Sequence, residues 1–315
     1  MKNEDQDLDR RKILTGGAMT LLIGSGLVGG LAAGWAQESV LIEKKESKYN
    51  TIYVLKEGAN IGMIFGVNRR LFTESLYNPA DPRELPVVYT RYMTAALAYP
   101  AKVATALEIG LGGGRTASYL NRHMGADLDL TCVELDPDVI ALAKKHFGVV
   151  ENANLKLVAK DGRLFLRETD KKYDLIMIDA YRGTFVPFHL LTKEFFTLAK
   201  ERLNAGGVVA QNIEPTTMLY DSAIATLKDT FDQVEVYQAD GNVVAIAYDG
   251  PQKPTPEIAG RMSALQAKYD FRHPLADFLP RRQIINKASA RVLTDDFAPV
   301  ESLRASERYN AKRPE

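Results

Sequence analysis

Beyond residue 100, short apolar runs alternate along the chain with stretches of helical periodicity. The apolar runs are rich in Val, Ile and Leu and too short for helices, which favours buried parallel strands. Strands that alternate with helices form a sheet covered on both faces, so the pattern predicts an α/β protein with a Rossmann-like, seven-stranded, mostly parallel sheet. The predicted strands are Thr105–Ile109, Leu130–Glu134, Leu155–Val158, Leu175–Asp179, Val208–Asn212, Val234–Gln238 and Val243–Tyr248.

The last two predicted strands have a different connection from the others. Only Ala239–Asn242 separate them. Because this link is too short for a parallel crossover, we expect the two strands to pair as an antiparallel hairpin. A hairpin in this place is typical of adenosylmethionine-dependent folds.

The residues on either side of this Rossmann-like domain (101–250) have other patterns. Residues 51–100 predict a small N-terminal β-domain, because three short apolar runs are followed by a helical pattern over Leu85–Tyr99. Residues 38–50 are charged and aperiodic, which predicts a linker, and 251–315 predict a helical, then irregular, tail. The three runs of the predicted β-meander are Thr51–Leu55, Ile61–Val67 and Leu71–Thr73.

The first 37 residues have the pattern of a targeting segment. A polar start and Arg10–Arg11 precede Ile13–Ala36, which contains no charge. This order resembles a twin-arginine export signal, and an uncleaved membrane anchor or a buried core helix is the alternative. The arginines would stay on the cytoplasmic side in the first two cases. We therefore predict a periplasmic location or one on the outer face of the cytoplasmic membrane.

Charge and metal-binding residue types narrow the possible partners. Forty Lys and Arg balance forty Asp and Glu, so no net field attracts nucleic acid. Cys132, the single cysteine, lies in an apolar run, which indicates an inert buried side chain. The four histidines have no metal-ligand spacing, so no metal is expected.

A glycine-rich turn follows the first predicted strand of the Rossmann-like domain. Gly110, Gly112 and Gly114 let the backbone turn tightly and approach a ligand where a Cβ would collide. The next strand ends in Glu134, about twenty residues beyond the turn, where a carboxylate can accept hydrogen bonds from ribose hydroxyls. Together they predict a site for an adenosine-containing ligand.

Two further acidic residues follow neighbouring strands. Asp161, before Gly162, could accept a hydrogen bond from an adenine amino group, and Asp179 ends the fourth strand. Because parallel strands end at one edge of the sheet, these groups should lie together there. The alternatives are a plain tight turn with solvated strand ends, or an NAD site, which would explain neither Asp161 nor the hairpin.

These residues resemble those of the polyamine aminopropyltransferase family, the spermidine synthases and their membrane-linked relatives. The resemblance covers about residues 49–303. The motifs that carry it are Ile109-Gly-Leu-Gly-Gly-Gly114, Val133-Glu-Leu-Asp-Pro-Asp138, Lys160-Asp-Gly162, Tyr173-Asp-Leu-Ile-Met-Ile-Asp-Ala180, His189-Leu-Leu-Thr-Lys-Glu-Phe-Phe196, Leu203-Asn-Ala-Gly-Gly-Val208 and Leu293-Thr-Asp-Asp-Phe-Ala-Pro-Val300.

The resemblance implies a nucleoside sulfonium donor, decarboxylated adenosylmethionine, and a possible homo-oligomer. It also implies that Glu134 holds the ribose, Asp161 the adenine, and that Asp179 lies near the sulfonium and the incoming amine. Two positions depart from the family pattern, since Gly113 and Arg182 stand where the family has aspartates. At about 4 Å and an effective dielectric of about 20, Arg182 would repel an ammonium by roughly 4 kcal/mol.

Arg182 leaves the acceptor and the donor open. Together with Arg115 it would suit an acceptor with a carboxylate or phosphate, or intact adenosylmethionine, which predicts methyl transfer. The alternative is that Arg182 points to solvent. Tyr181 and His189 are further candidates for proton transfer or acceptor positioning, in the segment Tyr181–His189, which we interpret as a lid. For His189 a structural role is the favoured alternative. A catalytically inactive nucleoside-binding protein or a membrane-held partner module is the alternative to an enzyme.

Overall fold

The computed structural model describes residues 39–67, 70–181, 186–217 and 219–297. This part of the chain contains a four-stranded and an eight-stranded β-sheet. The signal or anchor predicted within residues 1–37 lies outside the described residues, and so does Arg182. Within the described ranges, no helix is long and apolar enough to cross a membrane.

The N-terminal sheet is antiparallel, with its strands in chain order. Its first strand occupies most of residues 38–50, so the prediction of a linker there is corrected. This strand lies at the sheet edge with most side chains exposed, and backbone pairing holds it without any apolar alternation in the sequence. The strands are β1 (Ser39–Glu46), β2 (Thr51–Glu57), β3 (Asn60–Val67) and β4 (Arg70–Tyr77).

The larger sheet contains all seven predicted strands of the Rossmann-like domain. They are β5 (Thr105–Ile109), β6 (Asp129–Glu134), β7 (Leu155–Ala159), β8 (Tyr173–Ile178), β9 (Leu203–Ile213), β10 (Gln233–Ala239) and β11 (Asn242–Tyr248). The order is β10-β11-β9-β8-β5-β6-β7, with an eighth strand outside β10. Strands β5 to β9 pair in parallel, whereas β10 and β11 form the predicted antiparallel hairpin.

The eighth strand, β12 (Arg282–Ile284), corrects the predicted count of seven and the irregular end of the tail. Arg282 Nε and Nη2 donate to the Glu235 carboxylate at 2.6 and 2.8 Å. Tyr99 and Tyr248 donate to the same carboxylate. Because the ion pair is buried and fully hydrogen-bonded, it attaches this short strand to β10 over a long sequence separation.

Seven α-helices of the described residues cover the sheets: α1 (Val88–Met93), α2 (Arg115–Met124), α3 (Pro137–His146), α4 (Gly162–Glu168), α5 (Lys193–Glu201), α6 (Tyr220–Thr230) and α7 (Thr255–Tyr269). The helix predicted over Leu85–Tyr99 is shorter, since α1 begins after Pro86 and a 3-10 turn, Thr94–Ala98, replaces its second half. One apolar cluster lies on each face of the large sheet.

A third apolar cluster joins the N-terminal sheet to α3. Ile52, Val54 and Met63 pack there with Leu142 and Phe147. The contact brings β4 beside the glycine turn, where Ser75 Oγ accepts a hydrogen bond from the Gly113 N–H at 2.9 Å. The N-terminal sheet therefore forms one wall beside the carboxyl edge of the larger sheet.

Candidate active site

The predicted glycine turn connects β5 to α2. Gly110, Gly112 and Gly114 have φ values of 90°, 50° and 62°, which a residue with a Cβ rarely adopts. A Cβ at Gly110 would lie 2.3 Å from the Asp179 carbonyl oxygen. The turn and the end of β8 therefore lie in direct contact.

Glu134 lies beside this turn at the end of β6. Its Oε2 accepts from the Leu111 N–H at 2.9 Å and its Oε1 from the Asp136 N–H at 3.0 Å. Burial raises the pKa of Glu134, although these backbone donors oppose the rise. The carboxylate is held at the turn, where the sequence predicts the ribose.

Asp161 follows β7 and caps α4. Its Oδ1 accepts from the Leu164 N–H at 2.9 Å, and its Oδ2 accepts from His189 Nε2 at 2.8 Å. The hydrogen bond from His189 holds the pKa of Asp161 below its usual value. Gly162 allows α4 to begin close to β5, because a Cβ there would lie 2.3 Å from Ile109 Cγ2. His189 thus contacts Asp161, the residue that is predicted to bind the adenine.

Asp179 follows β8 directly and receives two side-chain hydrogen bonds. Tyr89 in α1 donates to Oδ2 at 3.1 Å, and Asn212 Nδ2 donates to Oδ1 at 2.9 Å. Burial raises the pKa of Asp179 to about 6, against these two donors. A carboxylate with a pKa near neutrality is suited to take a proton from a substrate and release it again.

Tyr181 lies next to Asp179 and contacts the same asparagine. Its hydroxyl donates to the backbone oxygen of Asn212 at 3.0 Å. Burial, with the charges of Asp179 and Glu214, raises the pKa of Tyr181 above its ordinary value. Tyr181 is therefore protonated at neutral pH and acts as a hydrogen-bond donor here.

The structure corrects the expectation that Arg115 binds a substrate. Its guanidinium is buried, donates to the backbone oxygens of Phe147 and Pro82 at 2.9 and 2.7 Å, and lies 4.2 Å from the Tyr77 ring centroid. These contacts join α2 to the N-terminal wall. The partners of Arg115 lie in segments that are distant in the sequence, so its residue type alone does not predict these contacts.

The glycine at position 113, where the resembled family has an aspartate, has a steric cause. A Cβ at this position would lie 2.8 Å from Ser75 Cβ and 2.8 Å from Phe147 Cδ1. Because contacts below 3 Å require a shift of packed atoms, the wall formed by β4 and α3 excludes an aspartate from this turn.

Sequence reasoning missed three residues of the site, namely Tyr89, Ser75 and Asn212. Asn212 had a usable signal, because it stands at the end of a predicted parallel strand like the acidic residues. Tyr89 and Ser75 come from outside the Rossmann-like domain and had none. Cys132 is buried, as predicted, and donates to Glu108 at 3.2 Å. Among the residues described, no group of His, Cys, Asp or Glu could hold a metal ion.

Fold and site together define a class. The glycine turn after β5 and the acidic residues after β6, β7 and β8 lie along one edge of a mostly parallel sheet, the edge where Rossmann-like proteins bind ligands. This arrangement defines the Rossmann-like class of proteins, which bind a nucleoside or nucleotide ligand at this edge.

The chain belongs to the family of the spermine/spermidine synthase domain, which matches residues 89–247. It is 28% identical over 281 residues to a polyamine aminopropyltransferase of Vibrio vulnificus, covering 85% of this chain and 92% of that protein. A probable spermidine synthase from Corynebacterium glutamicum has a similar fold, with a TM-score of 0.62 and 18% identity over 82% of this chain and 98% of the other.

A second solved structure with this fold is a spermidine synthase in complex with the transition-state analogue AdoDATO. It matches with a TM-score of 0.61 and 17% identity, and the match covers 78% of this chain and 84% of that one. These comparisons support an enzyme of the transferase class.

Proposed function

We propose that the protein transfers an aminopropyl group from decarboxylated adenosylmethionine to an amine acceptor. The observation that carries the proposal is Asp179, whose backbone contacts the glycine turn and whose carboxylate, held by Tyr89 and Asn212, has its pKa raised to about 6. The relatedness to an aminopropyltransferase of Vibrio vulnificus supports the same donor class.

In this reaction the donor adenosine would lie along the carboxyl edge of the sheet. Glu134 would accept hydrogen bonds from the ribose hydroxyls, and Asp161 would accept one from the adenine amino group. Tyr89 and Asn212 hold the Asp179 carboxylate by hydrogen bonds, and the acceptor amine would approach this carboxylate. Much of the rate enhancement would come from alignment of amine and donor.

The chemical step is a direct displacement. The acceptor ammonium gives a proton to Asp179, and the free nitrogen attacks the carbon bonded to sulfur. The carbon–sulfur bond breaks with its electron pair going to sulfur, which converts the sulfonium into a neutral thioether nucleoside. Asp179 then releases the proton to solvent, for which a pKa near 6 is favourable at neutral pH.

Arg182 bears on the acceptor. A guanidinium in place of an aspartate repels a diamine but can bind an anionic group with two hydrogen bonds. We therefore propose an acceptor that carries a carboxylate or phosphate in addition to its amine.

The test is calorimetric titration of the full chain with decarboxylated adenosylmethionine, adenosylmethionine and methylthioadenosine. We expect the decarboxylated donor to bind most tightly, and Glu134→Ala to lose that binding, because the ribose hydroxyls lose their acceptor. Glu151→Ala, at a surface carboxylate paired with Lys144, is the matched control and should bind normally. Preference for intact adenosylmethionine would replace aminopropyl by methyl transfer, and no binding of any ligand would exclude a nucleoside-dependent transferase.

A further inference from the structure

The side-chain amide of Asn212 contacts two groups at once. Its Nδ2 donates to Asp179 Oδ1 at 2.9 Å, and its Oδ1 accepts from Nδ2 of Asn242, also at 2.9 Å. Asn212 is 1% exposed, so neighbouring protein groups determine which amide atom faces which partner. The three side chains form a directed series in which Asn242 donates to Asn212 and Asn212 donates to Asp179.

Asn242 reaches this series from the hairpin. It is the first residue of β11, directly after a turn in which Asp240 and Gly241 have positive φ. Val244 lies opposite Asn212 in the pairing of β11 with β9. Residues two apart on a strand share a face, so Asn242 and Asn212 lie on the same face of the sheet. The register of β11 therefore fixes the position of Asn242.

The direction of this series suits a charged Asp179. A carboxylate accepts hydrogen bonds only, so the NH2 group of Asn212 must face it. In the reversed arrangement the oxygen of Asn212 would face Asp179, which is favourable only when that acid is protonated. The hydrogen bond from Asn242 Nδ2 to Asn212 Oδ1 favours the same orientation of the Asn212 amide as a charged Asp179 does.

We propose that Asn242 is a positioning residue, which keeps the NH2 group of Asn212 on Asp179 and thereby holds this carboxylate in the charged form that accepts a proton. The proposal rests on the proposed function, in which Asp179 is the base. It places a determinant of catalysis on the β10–β11 hairpin, away from the predicted glycine turn and acidic strand ends.

Other groups near Asp179 make the Asn212 hydrogen bond important. From α1, Tyr89 also donates to the carboxylate. Tyr181 donates to the backbone oxygen of Asn212 and not to the carboxylate. Burial raises the pKa values of Glu108 in β5, Tyr89 and Tyr181, and the charge of Asp179 adds to each rise. The charge of Glu74 in β4 adds to the rise at Tyr89 and Tyr181. Within the described residues, burial is opposed at Asp179 by the hydrogen bonds from Asn212 and Tyr89.

The experiment is a 13C NMR titration of aspartate carboxyl groups in the full chain, with the Asp179 signal assigned by its loss in Asp179→Asn. Asn242→Asp replaces the donor by an acceptor at almost constant size, and Asn242→Ala removes it. We expect the titration midpoint of Asp179 to rise by about one unit or more in the first variant and by about half a unit in the second. Asn204→Asp is the matched control, because Asn204 contacts Asp174 at the other end of the same strands.

Comparison of the two variants separates orientation from added charge. A rise in both variants, with Asp179 unchanged in Asn204→Asp, supports the positioning role. A rise in Asn242→Asp alone, reduced by salt, would show simple charge repulsion and overturn it, as would an unchanged midpoint in folded Asn242→Ala. The NMR titration requires no nucleoside donor. Its result is therefore distinguishable from a failure of the proposed function, which the calorimetric titration would report.

Discussion

A hydrogen bond between an asparagine and an aspartate joins β8 to β9 at each end of the two strands. The pKa values of the two aspartates are shifted in opposite directions. At the amino end of β8, Asn204 Nδ2 donates to Asp174 Oδ1 at 2.7 Å. At the carboxyl end, Asn212 Nδ2 donates to Asp179 Oδ1 at 2.9 Å. Yet the pKa of Asp174 is lowered, whereas that of Asp179 is raised to about 6.

The difference lies in the depth of burial, which is greater at Asp179, and in the number of additional donors. Burial raises the pKa of both acids. At Asp174 it is outweighed, because Oδ2 also accepts from the backbone N–H groups of Ala104 and Thr105 at 2.7 and 3.0 Å. Asp179 has the Tyr89 hydroxyl as its second donor. The Asn204–Asp174 pair therefore stabilises the pairing of neighbouring strands through a charged carboxylate. The Asn212–Asp179 pair leaves a carboxylate that can take up a proton near neutral pH.

The largest expected effect is on transfer. Asp179→Asn preserves size and removes the proton acceptor, so the rate should fall about 10³-fold, within the usual range for general-base catalysis. Asp174→Asn makes the same chemical change at the other end and should retain the rate within a few-fold. Product formation followed by mass spectrometry measures both. Equal losses in the two variants would contradict the assignment of Asp179 as the base.

The dependence of the transfer rate on pH should report the ionisation of the Asp179 carboxylate. Because the base must be deprotonated, the rate should fall about tenfold for each pH unit below the Asp179 pKa of about 6. Above it, ionisation of Asp179 no longer limits the rate. The measurement is kcat from pH 4.5 to 8 with saturating donor, and an acid limb that persists unchanged in Asp179→Asn would assign it to another group.

The two aspartates should also affect stability with opposite signs. The folded-state pKa of Asp179 is raised, so its ionisation lowers the free energy of unfolding as the pH rises from about 4 to about 6, by up to roughly 3 kcal/mol. Asp179→Asn should recover part of this at pH 8. The pKa of Asp174 is lowered, so its contribution is present above about pH 4 and is lost as the pH falls further.

Urea unfolding at pH 8 measures both effects. We expect Asp174→Asn to lose about 1–3 kcal/mol, because backbone N–H groups then lose a charged acceptor. A stabilised Asp179→Asn beside a destabilised Asp174→Asn would show that the active-site carboxylate is held at a cost to folding. Destabilisation of both by the same amount would mean that the two pairs have equivalent structural roles.

The comparison also shows which features the sequence could predict. Apolar runs followed by Gly110 or Glu134 predicted the strands and the edge where they end, because those patterns are local. The partners of each acid were not predictable in this way. Tyr89 and Asp179 lie 90 positions apart, and Arg282 joins β12 to Glu235 over 47 positions. Such contacts depend on strand order and register, which residue types do not specify.

The smallest predicted effect is a shift in the pH dependence of the rate when Tyr89, one of the two hydrogen-bond donors to Asp179, is replaced. Tyr89→Phe removes one hydrogen bond to the charged form at nearly constant volume, so the acid limb of the pH profile should move upward by about 0.5–1 unit. The rate at pH 8 should change only a few-fold, because Asp179 is still ionised there. Tyr92→Phe, in the same helix and in ring contact with Phe278, is the matched control and should leave the limb in place. A large loss at pH 8 in Tyr89→Phe would instead assign this hydroxyl a direct contact with the acceptor.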